Sequence, residues 1–183
     1  MDFIETEEQN MIREMVRGFA EETLAPTCLE RDREQRPPLE EWLEFCNVTG
    51  LQGVTIPDEY GGNQVDSVSE SIIVEELARV DPSFSVMYCV HVGLCSMTIA
   101  LHGNEEQKKQ YLPRLAGNEI GAYSLSEAGA GTDAAALGCK AKISEDGSHY
   151  ILNGEKMWVT NGDSADIYVL FAKDVDHPEF GDK

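Results

Sequence analysis

The chain of 183 residues is short of positive charge, with 14 Lys and Arg against 34 Asp and Glu and a formal net charge of -20. No basic run occurs anywhere along it. Binding to nucleic acid or to an anionic membrane surface rests on Lys and Arg meeting phosphates, so both partners are excluded. A disulfide framework is lacking too. The five cysteines, Cys28, Cys46, Cys89, Cys95 and Cys139, are odd in number, scattered, and form no Cys-x-x-Cys pair, which suits reduced thiols in a cytoplasmic setting. The start, Met1-Asp2-Phe3-Ile4-Glu5, is acidic where a secretory or mitochondrial leader is basic, and reads as a mature cytoplasmic beginning. Repeats and low-complexity tracts are absent, and the tail from His177 to Lys183 is simply polar.

Long apolar runs are scarce, with one partial exception. Residues 82–103 contain no Asp, Glu, Lys or Arg, and about 20 apolar residues suffice to cross a bilayer. Ser83, Ser85, His91, Ser96, Thr98 and His102 dilute the segment, so it reads as a helix buried inside a soluble bundle. Hydrophobic residues still make up 42% of the chain, enough to build a core without disulfide or metal support.

Residues 1–117 carry helical spacing. Thr6-Glu7-Glu8-Gln9 forms a capping box ahead of Met11, Ile12, Met15, Val16, Phe19 and Ala20, and Ala25-Pro26 ends that helix. A short charged helix is predicted over 26–35. Pro37-Pro38 opens the next, with Leu39, Trp42, Leu43, Phe45 and Cys46 as its buried face and Gly50 as its stop. After a loop over 51–66, Ser67-Val68-Ser69-Glu70 reads as a second capping box, and the helix it opens runs to Asp81-Pro82. The uncharged helix ends at Gly103, and Asn104 caps a last helix over 105–111.

From Glu119 the period shortens to about 2, predicting strands over 120–126, 139–144, 149–153, 156–160 and 166–173. Asp146-Gly147 and Asn153-Gly154 suit two-residue hairpin turns. The expected fold is α+β: an all-α N-terminal bundle over 1–117, then a partial antiparallel β-barrel over 118–183.

Two stretches can carry chemistry. In Tyr123-Ser124-Leu125-Ser126-Glu127-Ala128-Gly129-Ala130-Gly131-Thr132-Asp133 a strand ends in hydroxyls and glycines, offering bare amides of the kind a phosphate or ring carbonyl needs; a plain Gly-rich turn reads the same way. In Asn153-Gly154-Glu155-Lys156-Met157-Trp158-Val159-Thr160-Asn161-Gly162, a strand puts Trp158 and Thr160 on one face, a flat surface beside a hydroxyl. That suits a planar heteroaromatic ligand, although on spacing alone a Trp filling a barrel core is the favoured reading. His91 and Cys95 share a helix face as a potential metal pair, but with no third ligand a structural role is favoured.

Taken together, these two motifs following a helical bundle resemble the acyl-CoA dehydrogenase family of flavoproteins, over essentially the whole chain. Asp58-Glu59-Tyr60-Gly61-Gly62, Glu75-Glu76-Leu77-Ala78 and Gly103-Asn104-Glu105-Glu106-Gln107-Lys108 also resemble their counterparts there. The resemblance implies FAD as cofactor, contacted by Tyr123, Leu125, Ser126, Gly131, Thr132, Trp158, Val159 and Thr160. It places the Leu125 amide and Ser126 near the pyrimidine edge of the flavin, Trp158 against the ring and the Thr160 hydroxyl toward N5. Thr132 would also meet the substrate where FAD and the CoA thioester join. The implied reaction is α,β-desaturation of an acyl-CoA thioester, with an electron-transferring flavoprotein as acceptor and self-association into a homo-oligomer. Bacterial short-chain, butyryl-CoA members look most similar.

Departures from the family pattern are Ser126-Glu127-Ala128 where Thr-Glu-Pro is usual, and Gly131-Thr132 where Gly-Ser is usual. Family members are also considerably longer, adding a C-terminal bundle that carries the catalytic glutamate. No residue here matches that motif, so no catalytic acid or base is assigned, and Glu127 reads as part of its motif's structure. By resemblance Met87, Tyr88, Val90 and Leu94 could line an acyl-tail pocket, although core packing explains them as well. A non-catalytic fragment, or a flavin oxidase or monooxygenase of the same fold, is the alternative reading.

Overall fold

A computed structural model of the chain describes residues 4–176; the acidic start at 1–3 and the polar tail at 177–183 lie outside them. Helix α1 (Glu7–Phe19) opens with the capping box the sequence predicts, Thr6 Oγ1 accepting from the Gln9 amide and the Gln9 side chain from the Thr6 amide, and continues as a π-helical turn, Ala20–Leu24. Ile12, Val16, Phe19, Ala20 and Leu24 form its buried stripe. Met11 and Met15, expected in that stripe, are exposed, because each sits about 100° around the helix from a residue that already fills the seam.

Helix α2 (Cys28–Glu34) stops at Gln35, and α3 (Leu39–Thr49) stops at Gly50, whose φ of 66° no β-carbon hinders. Trp42, Phe45 and Cys46 of α3 are buried as expected, whereas Leu39 and Leu43 are exposed. Helix α4 (Ser67–Val80) is capped by Asp66 and not by a Ser67 capping box: the Asp66 carboxylate accepts from the Val68 and Ser69 amides, and its charge adds attraction to the helix dipole. Asp81 repeats the device for α5 (Pro82–Cys89). That helix runs through a π-helical stretch, Val90–Ser96, into α6 (Met97–His102), so the uncharged segment is one rod. Half of its most apolar window is buried within the protein, with Phe84, Tyr88, Val92 and Cys95 inside. Helix α7 (Glu105–Ala116) runs beyond the predicted 111, straight through Pro113. Buried Leu112 and Leu115 hold this last turn, and the imino ring removes only one hydrogen bond from it.

An aromatic cluster fills the centre: Phe19 meets Phe45 edge-on at 5.2 Å, and Phe45 meets Phe84 and Tyr88 at 5.6 and 5.5 Å. Among the described residues, the fully buried charged groups are paired. Buried Glu76 of α4 takes Arg13 and Arg17 of α1 at 2.6 and 2.8 Å, and buried Arg31 takes Glu41 at 2.7 Å together with Asp81.

The remainder is strand and turn, so the α+β class holds, but the pairing is mixed. Strand β1 (Gly121–Ser124) lies parallel to β4 (Ile167–Leu170), with Gly121 opposite Ile167. Strand β2 (Lys140–Ile143) is antiparallel to β3 (Tyr150–Asn153) and parallel to β5 (Lys173–Asp174). The expected antiparallel arrangement therefore occurs at one of three pairings, because the long connection from β1 to β4 carries the chain back before it re-enters the sheet. Among the described residues no barrel closes.

Two turn expectations change as well. The Asp146-Gly147 hairpin is wider than two residues: the Ser144 amide donates to His149 O, and Gly147 alone has positive φ, at 71°. Asp146 stabilises it by accepting from the Ser144 and Ser148 hydroxyls. Asn153-Gly154 makes no hairpin, since no strand forms over 156–160. Gly154 instead allows a close approach, a β-carbon there coming within 2.6 Å of Cys139 Cα.

Candidate functional site

The helical layer and the strands meet where β1 crosses the uncharged rod. Gly121 is the closest point: a β-carbon there would lie 2.7 Å from Cys95 Sγ. Its amide donates to His91 Nδ1 at 3.1 Å, which leaves the proton on Nε2 to be donated to Gln52 O at 3.1 Å. Burial pushes the His91 pKa down to about 4 and the Cys95 thiol up to about 11. His91 is thus a neutral bridge between loop, rod and strand, stacked edge-on against Trp42 at 4.7 Å. Among the described residues no group of three His, Cys, Asp or Glu could hold a metal.

The second motif is anchored to the same junction. Asn161, at φ 64°, donates its side-chain amide to Gly121 O at 2.9 Å and to Met87 O at 3.2 Å. Lys156 Nζ donates to Leu125 O at 3.0 Å and to Glu127 Oε1 at 2.7 Å, and the Met157 amide donates to Ser126 O at 2.8 Å. Glu127 also accepts from the Gly138 and Cys139 amides at 2.5 and 3.0 Å. Lys156, followed by these amides, holds the Glu127 carboxyl down to about 2.

These ties leave a cavity of about 240 Å³. Val90 and Leu94 of the π-helical stretch form its floor, Tyr123, Leu125 and Ser126 one wall, and Met157, Trp158 and Thr160 the other. Five of the predicted cofactor residues, Tyr123, Leu125, Ser126, Trp158 and Thr160, therefore meet at one place. They do so through a different local structure from the one expected. Trp158 and Thr160 do not share a strand face; Trp158 stands at φ 57° in irregular backbone and is 86% exposed, so it fills no core among the described residues. Left-handed backbone in a bulky residue costs of order 1–3 kcal/mol. The Ser126 and Thr160 hydroxyls have no protein partner among the described residues.

The other three predicted residues lie apart from this cavity. Gly131 and Thr132 are exposed on the loop after β1, and Val159 packs beside Gly162. A β-carbon at Gly129 or Gly131 would meet nothing within 4 Å, so packing within the chain does not account for either glycine. Of the acyl-pocket candidates, Met87 and Tyr88 are core, while Val90 and Leu94 reach the cavity. Sequence reasoning missed Lys156 and Asn161. Asn161 had a signal, since Asn before Gly tolerates left-handed φ; Lys156 had none, because its partner lies 29 residues away. A larger hollow of about 490 Å³ lies between α6, α7 and β4, but Arg114 there is paired with Glu119 at 2.7 Å and the Tyr168 hydroxyl bonds to Gly162 O.

A fold of this kind has known counterparts. Residues 6–119 match the family model of the acyl-CoA dehydrogenase N-terminal domain, and 122–182 that of the middle domain. The short-chain specific acyl-CoA dehydrogenase of Clostridium acetobutylicum is 43% identical over 94% of this chain and 45% of its own length. Butyryl-CoA dehydrogenase from Megasphaera elsdenii superposes with a TM-score of 0.87 at 37% identity, over 94% of this chain and 46% of that one. Acyl-CoA dehydrogenase complexed with FAD from Bacillus anthracis superposes at 0.84 with 38% identity, over 93% and 29%. A chain in the structure of the electron transferring flavoprotein of Acidaminococcus fermentans superposes at 0.88 with 42% identity, over 94% and 45%. The chain spans less than half the length of these relatives. On both domain matches, it belongs to the acyl-CoA dehydrogenase family.

Proposed function

We propose that the cavity between the rod and the two wall segments receives the ring system of FAD, and that the protein serves α,β-desaturation of a short-chain acyl-CoA thioester. The observation that carries this is Trp158, 86% exposed at φ 57°, standing over a cavity where the Ser126 and Thr160 hydroxyls have no protein partner among the described residues. A flat heteroaromatic ring with polar edges satisfies all three at once: Trp158 covers a face, while Ser126 and Thr160 donate to the rim. Apolar Val90 and Leu94 close the floor against water. Bound FAD would supply hydride acceptance, and hydroxyl donors at its rim favour charge gained there. Thr132, exposed on the loop after β1, is the residue to which this reading gives the CoA thioester. An electron-transferring flavoprotein as acceptor and self-association of the complete protein belong to the same reading, and the five free thiols support a cytoplasmic location.

Among the described residues, the walls of the cavity carry no carboxylate and no imidazole. Abstraction of an α-proton needs a positioned base, so this chain is expected to bind without turning over. Calorimetric titration of the chain with FAD tests the reading, with Trp158→Ala alongside. Binding that weakens in the variant supports it; absence of binding, or binding indifferent to Trp158, overturns it. Under anaerobic conditions butyryl-CoA should leave the flavin absorbance unchanged.

A further inference from the structure

The Lys156–Glu127 pair differs from every other ion pair of the strand region. Its side chains are 8% and 9% exposed, yet it joins no helices and fills no core. Its hydrogen bonds go to the main chain of two segments: Lys156 holds Leu125 O, and Glu127 holds the Gly138 and Cys139 amides. Beside it, the Met157 amide donates to Ser126 O. A buried ion pair contributes little net stability compared with apolar packing, because desolvation offsets the attraction; its attested use is to fix register. Here the segments being registered are the two walls of the cavity, 125–126 and 157–158.

We propose that Lys156, locked by Glu127, is a positioning residue that sets the Ser126 hydroxyl and the Trp158 ring against each other before a ligand arrives. The ligand side of this inference rests on the flavin reading above. Without the Lys156 bond, Leu125 O loses a charged donor, and the irregular segment carrying Trp158, already at a positive φ, is free to relax toward extended backbone. Both walls then order only as the ring binds, which lowers affinity through the cost of ordering.

The test uses the chain with FAD as probe and the variants Lys156→Met, Lys156→Arg and Glu127→Gln. Amide exchange at Gly138, Cys139 and Met157 should quicken by about tenfold or more in Lys156→Met while the helices exchange as in the parent, since the bonds to Leu125 O and Glu127 are both lost. By calorimetry FAD should bind about tenfold more weakly, with a blurred vibronic shoulder in its visible band reporting a looser ring. Lys156→Arg, which keeps the charge and two donors, should recover most of both effects, and Glu127→Gln should fall between. If exchange quickens but FAD binds Lys156→Met as tightly as the parent, the pair is architectural only and the inference fails. If neither changes, it fails outright. If the parent itself does not bind FAD while exchange responds as stated, the flavin reading is what falls, and the registering of the two walls stands.

Discussion

The two halves of the chain bury their apolar side chains to very different degrees. In the helical half Trp42, Phe45, Phe84 and Tyr88 are all fully buried, whereas in the hairpin of β2 and β3 Tyr150 and Leu152 are 57% and 52% exposed. Both halves are comparably rich in apolar residues, so composition does not make the difference. Helices capped by Thr6, Asp66, Asp81 and Asn104 satisfy their own backbone and need only one buried stripe each, which neighbouring helices supply. Strands of four residues need partners on both edges and cover on one face, and among the described residues they have only part of either. The lesson is that rigidity and chemistry are divided here: the helical half is the anchor, and the site sits where the strands lean on it.

The sharpest way to break this contrast is a pair of truncations. Trp42→Ala should cost about 3–5 kcal/mol, and Leu152→Ala under about 0.5 kcal/mol, as read by urea unfolding. Comparable losses in the two would mean that the halves share one core. Acid provides the next largest effect. His91 is held neutral in the folded chain down to about pH 4. A free imidazole protonates at about 6.5, so between these values the unfolded state binds the extra proton and stability falls as pH falls. The loss over that window amounts to about 3 kcal/mol, with no contribution above pH 7. Thermal melts in the pH series, with His91→Gln as the comparison that flattens the slope, check it.

A smaller effect is expected from Gly121→Ala. The new methyl would press on Cys95, and overpacking of this kind costs about 1–3 kcal/mol. The strain should appear at the junction first, as faster amide exchange in β1 and β4 than in α1. Uniform change across the molecule would argue against a separable anchor. Smallest of all, Trp158→Ala should leave the melting temperature in place, since the ring is mostly in water, while weakening FAD binding by about 1 kcal/mol beyond the area it covers.

Much of the helical half was legible because its signals are local. Thr6 with Gln9, and Asn104 at its helix start, cap within three residues, and Gly50 closes α3 by its own conformation. What misled were competitions between neighbours: Asp66 outbids Ser67 as a cap, and packing at Leu112 and Leu115 carries α7 through Pro113. In the strand region the residues of the site were legible as chemistry but not as geometry. Trp158 and Thr160 line one cavity, but not from the shared strand face expected, which the left-handed backbone at 158 and 161 does not permit. Nothing local announces that conformation. It is imposed by Asn161 reaching Met87 and Gly121, and by Lys156 reaching Leu125, contacts that span 31 to 74 residues.

The chain has two tryptophans, one with no exposed surface and one almost wholly in solvent. Trp42 sits against Phe45, Phe84 and His91 and donates its indole N–H to Asn118 O at 2.9 Å, while Trp158 faces open water. Nature has thereby supplied two optical channels in one molecule. Emission from Trp42 should lie to the blue and be shielded from iodide, and emission from Trp158 should lie to the red and be quenched collisionally. A single label-free spectrum can then follow the anchor and the cavity wall separately, the blue component lost on unfolding and the red one extinguished when a coloured ring stacks over the indole.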